Sequence, residues 1–140
     1  MLFRSVSQSR YAQQDMLLHV PYDSLDPLID LLNEAALSPK VVSIKTTLYR
    51  LSSHSQIINS LVRAAESGKE VVVLIELKAR FDEQHNIDHA TTLEEAGCQV
   101  IYGFEGYKVH SKCCLITELD QGKLISYTHT STGNYNEGVS

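Results

Sequence analysis

The sequence predicts an α/β fold built on one mixed β-sheet. Apolar strand-like runs alternate with segments of helical periodicity, the order that lays parallel strands side by side with helices between them. The run Glu70 to Leu77 is apolar at successive positions through its centre, Val71-Val-Val-Leu-Ile75, as expected of a central parallel strand buried on both faces. The last two strand-like runs adjoin across Asp120-Gln121-Gly122, which reads as the turn of an antiparallel hairpin.

Each element follows in order. Residues 1–20 read as a loose lead-in, and residues 21–140 as the domain. Pro21-Tyr22-Asp23-Ser24 offers cap chemistry for an amphipathic helix whose stripe is Leu28, Ile29, Leu31, Leu32, Ala35 and Ala36. Ser38-Pro39 stops that helix, and Val41 to Tyr49 is a predicted strand. Ser52-Ser53-His54-Ser55 leads into a second helix, with Ile57, Ile58, Leu61, Val62 and Ala65 facing inward and Gly68 ending it. After the strand at Glu70 to Leu77, a third helix is predicted over Asn86 to Ala96, closed by Gly97. Gln99 to Tyr102 is a short strand, Gly103 and Gly106 punctuate a loop, and Lys108 to Glu118 and Leu124 to His129 form the hairpin.

Composition narrows the function classes. With 140 residues the chain is one domain or a large piece of one, and 43% hydrophobic and 21% charged residues suit a globular core. A formal net charge of −5 argues against a broadly basic nucleic-acid binder, so any anion site is a local basic focus on an acidic body. No apolar run approaches the roughly 20 residues of a membrane span, and Met1-Leu-Phe-Arg lacks a signal-peptide pattern. Cys98, Cys113 and Cys114 make neither a disulfide framework nor a Cys-x-x-Cys pair. A reducing cytosol is the expected compartment, and the cysteines read as buried strand thiols.

The stretch Lys108-Val-His-Ser-Lys112 carries the chemistry. On a strand, Lys108, His110 and Lys112 share a face, about 6.6 Å apart from one Cα to the next. Flanking ammonium groups disfavour the imidazolium form and leave a neutral, nucleophilic ring, while the same ammonium groups neutralise phosphoryl oxygens. The plain alternative is a solvated edge strand with an incidental histidine. Arg50, Arg80 and His110 recur at intervals of 30 residues, about one strand–helix–strand unit, which places all three near one rim of the sheet. A guanidinium fork suits two phosphate oxygens, although each arginine taken alone reads more readily as a surface ion pair.

Other groups are weaker candidates. His85 and His89 stand one helical turn apart beside Asp82, Glu83 and Asp88, a spacing that can grip a metal, but so polar a helix reads as a solvated face. Glu76 ends an apolar strand and is placed to orient a cation such as Lys78 or Arg50. His129 reads as part of the sheet, and His54 has no evident role.

The chain resembles the catalytic region of the bacterial polyphosphate kinase family that works through a phosphohistidine. The matching stretches are Leu17-Leu-His-Val-Pro-Tyr22, Ile44-Lys-Thr-Thr-Leu-Tyr-Arg50, Glu76-Leu-Lys-Ala-Arg-Phe-Asp-Glu83, Tyr107-Lys-Val-His-Ser-Lys112 and Ser131-Thr-Gly-Asn-Tyr-Asn136, in the family's order and across nearly the whole chain. The resemblance implies a phospholipase D-like mixed β-sheet flanked by helices, with residues 21–140 as the first such catalytic domain of a longer enzyme. It implies reversible transfer of the ATP γ-phosphoryl group to inorganic polyphosphate, with His110 as the phosphohistidine and Lys112 as its catalytic partner in His-x-Lys. Asn134 matches the family's downstream polar residue and joins Arg50, Arg80 and Lys108 in the phosphate-binding set. Arg50 and Arg80 match two arginines the family associates with magnesium. A guanidinium has no lone pair for a cation, so Mg²⁺ is expected to be held through bound phosphate oxygens.

The implied partners are ATP, ADP and polyphosphate, with no nucleic acid and no transmembrane segment. The longer enzyme is expected to be a cytoplasmic homo-oligomer, with peripheral membrane association left open. Ser131 stands where many members have Gly, and Thr117 where phospholipase D-like hydrolases carry Asp. The family's second catalytic half and nucleotide-holding domains are not in these residues, so the chain alone is expected to be inactive. The alternatives are a phospholipase D-like phosphodiesterase, with two copies of the site meeting in a dimer, and a non-catalytic polyanion-binding module.

Overall fold

The computed structural model describes residues 26–49, 51, 54–76, 83–103, 106–107 and 110–131. Three helices and five strands run in the order α1 (Asp26–Leu37), β1 (Val41–Leu48), α2 (Gln56–Glu66), β2 (Glu70–Ile75), α3 (Glu83–Glu95), β3 (Gln99–Tyr102), β4 (Lys112–Asp120) and β5 (Lys123–Ser131). The strands form one mixed sheet in the order β3-β2-β1-β4-β5. β1, β2 and β3 are parallel, whereas β4 is antiparallel to both β1 and β5. The predicted α/β class with a mixed sheet is the observed one.

Local chemistry sets the helix ends. Ser55 caps α2, its hydroxyl accepting the Ile58 N–H at 3.4 Å. At the other end Gly68 takes φ +86°, so its N–H reaches the Ala65 carbonyl and the Lys69 N–H reaches that of Ala64. That pairing satisfies carbonyls the helix leaves open, and the left-handed position favours glycine. α3 closes in the same manner, with the Cys98 N–H bonded to the Leu93 carbonyl at 2.9 Å. The hairpin turn puts Gln121 and Gly122 both at positive φ, which matches the twist of β4 and β5.

One face of the sheet is the core. Ile44 and Leu48 of β1, Val71, Val73 and Ile75 of β2, and Cys114 and Ile116 of β4 cluster with Leu28 and Leu32 of α1, Ile57 and Leu61 of α2, and Leu93 of α3. Leu31 packs against this cluster, only partly buried. Two successive crossovers step the same way along the sheet, from β1 to β2 to β3, so the right-handed rule puts α2 and α3 over the same face. The opposite face is less covered than the sequence implied: along β2, Val72 and Leu74 are only half-buried.

The topology gathers one rim. The C-terminal ends of the parallel strands lie beside the N-terminal end of β4, because β4 runs the other way. Open α/β sheets place their ligand crevice outside such carboxyl ends.

The predicted strand beginning at Lys108 is corrected here. β4 begins at Lys112, so His110 and Ser111 precede the strand, and Lys108 lies outside the described residues. The cause lies in β1. The last main-chain pair between β1 and β4 is Thr46 with Cys114. Beyond it the Thr47 hydroxyl accepts the Cys113 N–H at 3.0 Å and donates to the Ser111 carbonyl at 2.9 Å, so a side chain replaces the next rung.

Candidate functional site

Lys112 is the centre of the described rim. Alternation along β4 turns it to the core side with Cys114 and Ile116, and only 5% of it is exposed. Its ammonium Nζ donates to the His110 carbonyl at 2.6 Å, lies 3.2 Å from His110 Nδ1 and sits 5.3 Å from the centroid of the Tyr49 ring. Among the described residues no carboxylate pairs with it. Taking an ammonium out of water costs several kcal/mol, and a carbonyl and an aromatic face return only part of that. A buried ammonium that meets no carboxylate among the described residues is placed to receive an anion.

His110 is exposed at the mouth of this arrangement. The contact at Nδ1 orients the ring and leaves Nε2 without a partner among the described residues. The backbone beneath is held by two threonines of β1. Thr47 grips both residues that flank Lys112, and Thr46 donates to the Cys113 carbonyl at 3.1 Å. Of the predicted site residues, the structure brings His110 and Lys112 together. Arg50, Arg80, Lys108 and Asn134 lie outside the described residues, as does Lys78.

The rim contains groups the sequence did not single out. Tyr49, the residue before Arg50, supplies the ring near Lys112. Asn86, on the first turns of α3 and 3% exposed, donates to the Tyr49 carbonyl at 3.0 Å and to the Glu76 carbonyl at 2.8 Å. Its signal was present in part: Asn86, Ala90 and Leu93 follow the spacing of a buried helical stripe, with a polar residue at a core position. Thr47 had no comparable signal, because its role depends on where the β4 ladder ends. Glu76 lies close against Gly103, just past β3, where an added Cβ would meet its Oε2 at 3.2 Å. Among the described residues no cation pairs with Glu76.

The remaining candidates separate from this rim. His85 is exposed, but His89 is 8% exposed, which corrects the expectation that both lie on a solvated face. Among the described residues no group of three or more His, Cys, Asp or Glu side chains could hold a metal ion. Burial pushes the Cys98 thiol up to about 11 and the Cys114 thiol to about 12, so neither is a thiolate at neutral pH. Cys113 is half-buried on the opposite sheet face. His129 sits in β5 opposite Cys114, and burial lowers its pKa.

Comparison with known proteins gives a consistent result. Residues 7–140 match the family described as polyphosphate kinase C-terminal domain 1. The polyphosphate kinase of Staphylococcus saprophyticus is 53% identical over 125 residues, which are 89% of this chain and 17% of that protein. That of Neisseria meningitidis serogroup B is 47% identical over 128 residues, 91% of this chain and 19% of that protein. The chain thus spans less than a fifth of the length of these two relatives. The crystal structure of polyphosphate kinase from Porphyromonas gingivalis superposes with a TM-score of 0.79 at 39% identity, covering 100% of this chain and 24% of that one.

Proposed function

The chain belongs to the polyphosphate kinase family, and from that premise we propose that it forms one wall of a phosphoryl-transfer site that moves the γ-phosphoryl group of ATP to polyphosphate through His110. The observation that carries this reading is the buried Lys112 ammonium, without a carboxylate partner among the described residues, beside the exposed His110 ring. In the first step the Nε2 lone pair forms a bond to the γ-phosphorus while the bond to the bridging oxygen breaks, and ADP leaves with that electron pair. Attack through Nε2 needs the ring proton on Nδ1. The ring therefore takes the Nδ1–H tautomer by proton exchange with solvent at its exposed edge, while Lys112 swings from Nδ1 to an incoming phosphate oxygen and keeps its bond to the His110 carbonyl. The Nδ1 proton stays on the phosphorylated ring until the second step returns the ring to its starting form. In the second step the terminal oxygen of polyphosphate takes the phosphoryl group from the ring, and the reverse sequence makes ATP. Catalysis of this kind is positioning plus charge neutralisation.

Arg50, Arg80, Lys108 and Asn134 are proposed to hold the remaining phosphate oxygens. Mg²⁺ is proposed to be held through phosphate oxygens that Arg50 and Arg80 bind, since a guanidinium has no lone pair for a cation. The phosphodiesterase alternative is disfavoured by Thr117, which stands where the hydrolases carry Asp and faces Ser126, with 3.4 Å between the hydroxyl oxygens. Among the described residues no helix is long and apolar enough to cross a membrane. A cytoplasmic location is proposed from the cysteine usage, three thiols without a disulfide framework. The longer enzyme is proposed to be a homo-oligomer.

The test is the full-length kinase carrying this segment, incubated with γ-labelled ATP and Mg²⁺ and then mapped by peptide. Acid-labile label on the peptide containing His110 is expected, lost in His110→Ala with an unchanged circular dichroism spectrum. Undiminished label in that variant would refute the assignment. The 140-residue chain alone is proposed not to elongate polyphosphate. An open half-site leaves the donor unpositioned, and positioning is worth up to about 7–11 kcal/mol.

A further inference from the structure

We propose that Asn86 is a positioning residue for phosphoryl transfer, one side chain that fixes the chain just past β1 and β2, ahead of Arg50 and Arg80 in sequence. The inference rests on the functional reading above and deepens it.

Both amide hydrogens of Asn86 are used. One goes to the Tyr49 carbonyl at 3.0 Å and the other to the Glu76 carbonyl at 2.8 Å. These two carbonyls lie just past the ends of β1 and β2, where the sheet ladder is finishing: the Glu76 N–H to the Leu48 carbonyl, at 3.3 Å, is the bond before them. Without a donor between them, two carbonyl dipoles would face one another in a site where Asn86 itself is only 3% exposed. Water is poorly placed to substitute there.

What the clamp holds is the chain that leads into the two arginines. Arg50 follows Tyr49 directly, and Arg80 comes four residues after Glu76. The Tyr49 ring in turn lies 5.3 Å from Lys112 Nζ, and that ammonium contacts His110. One amide therefore links α3 to Tyr49 and Glu76 and, through Tyr49 and Lys112, to His110. α3 does not need Asn86 for attachment to the core, since Ala90 and Leu93 are already buried in it. Asn86 touches neither substrate nor the reacting atoms; it acts through Tyr49 and Glu76.

The experiment uses the full-length kinase carrying this segment. The unmutated enzyme must first give acid-labile label that His110→Ala removes; if it does not, the functional reading fails and this inference falls with it. Asn86→Ala and Asn86→Asp are then compared with Leu93→Ala, a cavity variant on the same helix away from the rim. The readouts are the thermal midpoint and the rate of phosphohistidine formation per folded protein at saturating ATP. A displacement of about 1 Å can cost about 100-fold, so a 10- to 100-fold loss of rate is expected in the Asn86 variants. Leu93→Ala should lower the midpoint as much or more and keep its rate. Asn86→Asp presents oxygen to both carbonyls and should be no better than Asn86→Ala. Wild-type rate in either Asn86 variant, or an equal loss in Leu93→Ala, overturns the proposal. Should Asn86→Ala not fold, Asn86→Asp and Asn86→Ser carry the comparison. If no Asn86 variant folds, the residue is a folding determinant and the positioning role is refuted.

Discussion

Thr47→Val isolates the hydroxyl that replaces a rung of the sheet. The two side chains have the same branched shape, so the strand face stays filled and only Oγ1 is removed. Two main-chain groups then lose their partner, the Cys113 N–H at 3.0 Å and the Ser111 carbonyl at 2.9 Å. Ser111 is exposed, so its carbonyl regains water at little cost. Cys113 is half-buried, and an orphaned buried donor costs about 1–3 kcal/mol, which places the loss near 1–2 kcal/mol. With a urea dependence of about 2 kcal/mol per molar, the unfolding midpoint should fall by roughly 0.5–1 M. The assay is urea unfolding of the purified chain followed by circular dichroism, with hydrogen exchange at the Cys113 amide. Thr47→Ser keeps the hydroxyl and should lie within about 0.5 kcal/mol of the unmutated chain, as should Thr128→Val on the exposed side of β5. An unchanged midpoint together with unchanged Cys113 protection in Thr47→Val would refute the role given to Thr47.

Two further outcomes follow from the same geometry. Lys112→Met keeps a buried, unbranched side chain and removes an ammonium that is 5% exposed; stability should stay level or rise, while phosphoryl transfer in the full-length kinase falls about 100- to 1,000-fold, and a loss under tenfold would mean this charge does not meet the phosphate. Burial lowers the pKa of His129, so the unfolded chain binds its proton at a higher pH than the folded one. Its contribution to stability is complete above the unfolded value of about 6.5 and is lost as pH falls through the folded value. His129→Gln should therefore flatten the decline between pH 7 and pH 5 in thermal midpoints, and an identical decline in both proteins would contradict this.

Much of this architecture was legible because it depends on neighbours in sequence. Gly68 and Gly97 stop helices through bonds that span only a few residues, and the stripe of α2 buries Ile57, Ile58 and Leu61 as its period requires. Gln99–Tyr102 is a strand with the predicted bounds. His110 and Lys112 were legible as a pair because their spacing and chemistry are local, and the structure brings them into contact. Arg50, Arg80, Lys108 and Asn134 lie outside the described residues, so their places rest on sequence alone.

What the sequence by itself did not determine depends on chain segments distant in order. The first residue of β4 is decided by where β1 stops offering main-chain pairs, more than sixty residues earlier, and by a threonine hydroxyl that takes over. Asn86 in isolation is one more polar residue on a polar helix. It becomes a clamp only because β1 and β2 end side by side beneath α3 and turn two carbonyls toward it. His89 is buried for a similar reason, since the packing of α3 on its neighbours, rather than its own mean polarity, decides which polar face is covered. Periodicity assigns a residue to a face of its own element. Only the tertiary structure decides what that face meets, because burial and hydrogen bonding belong to pairs of surfaces and not to either one alone.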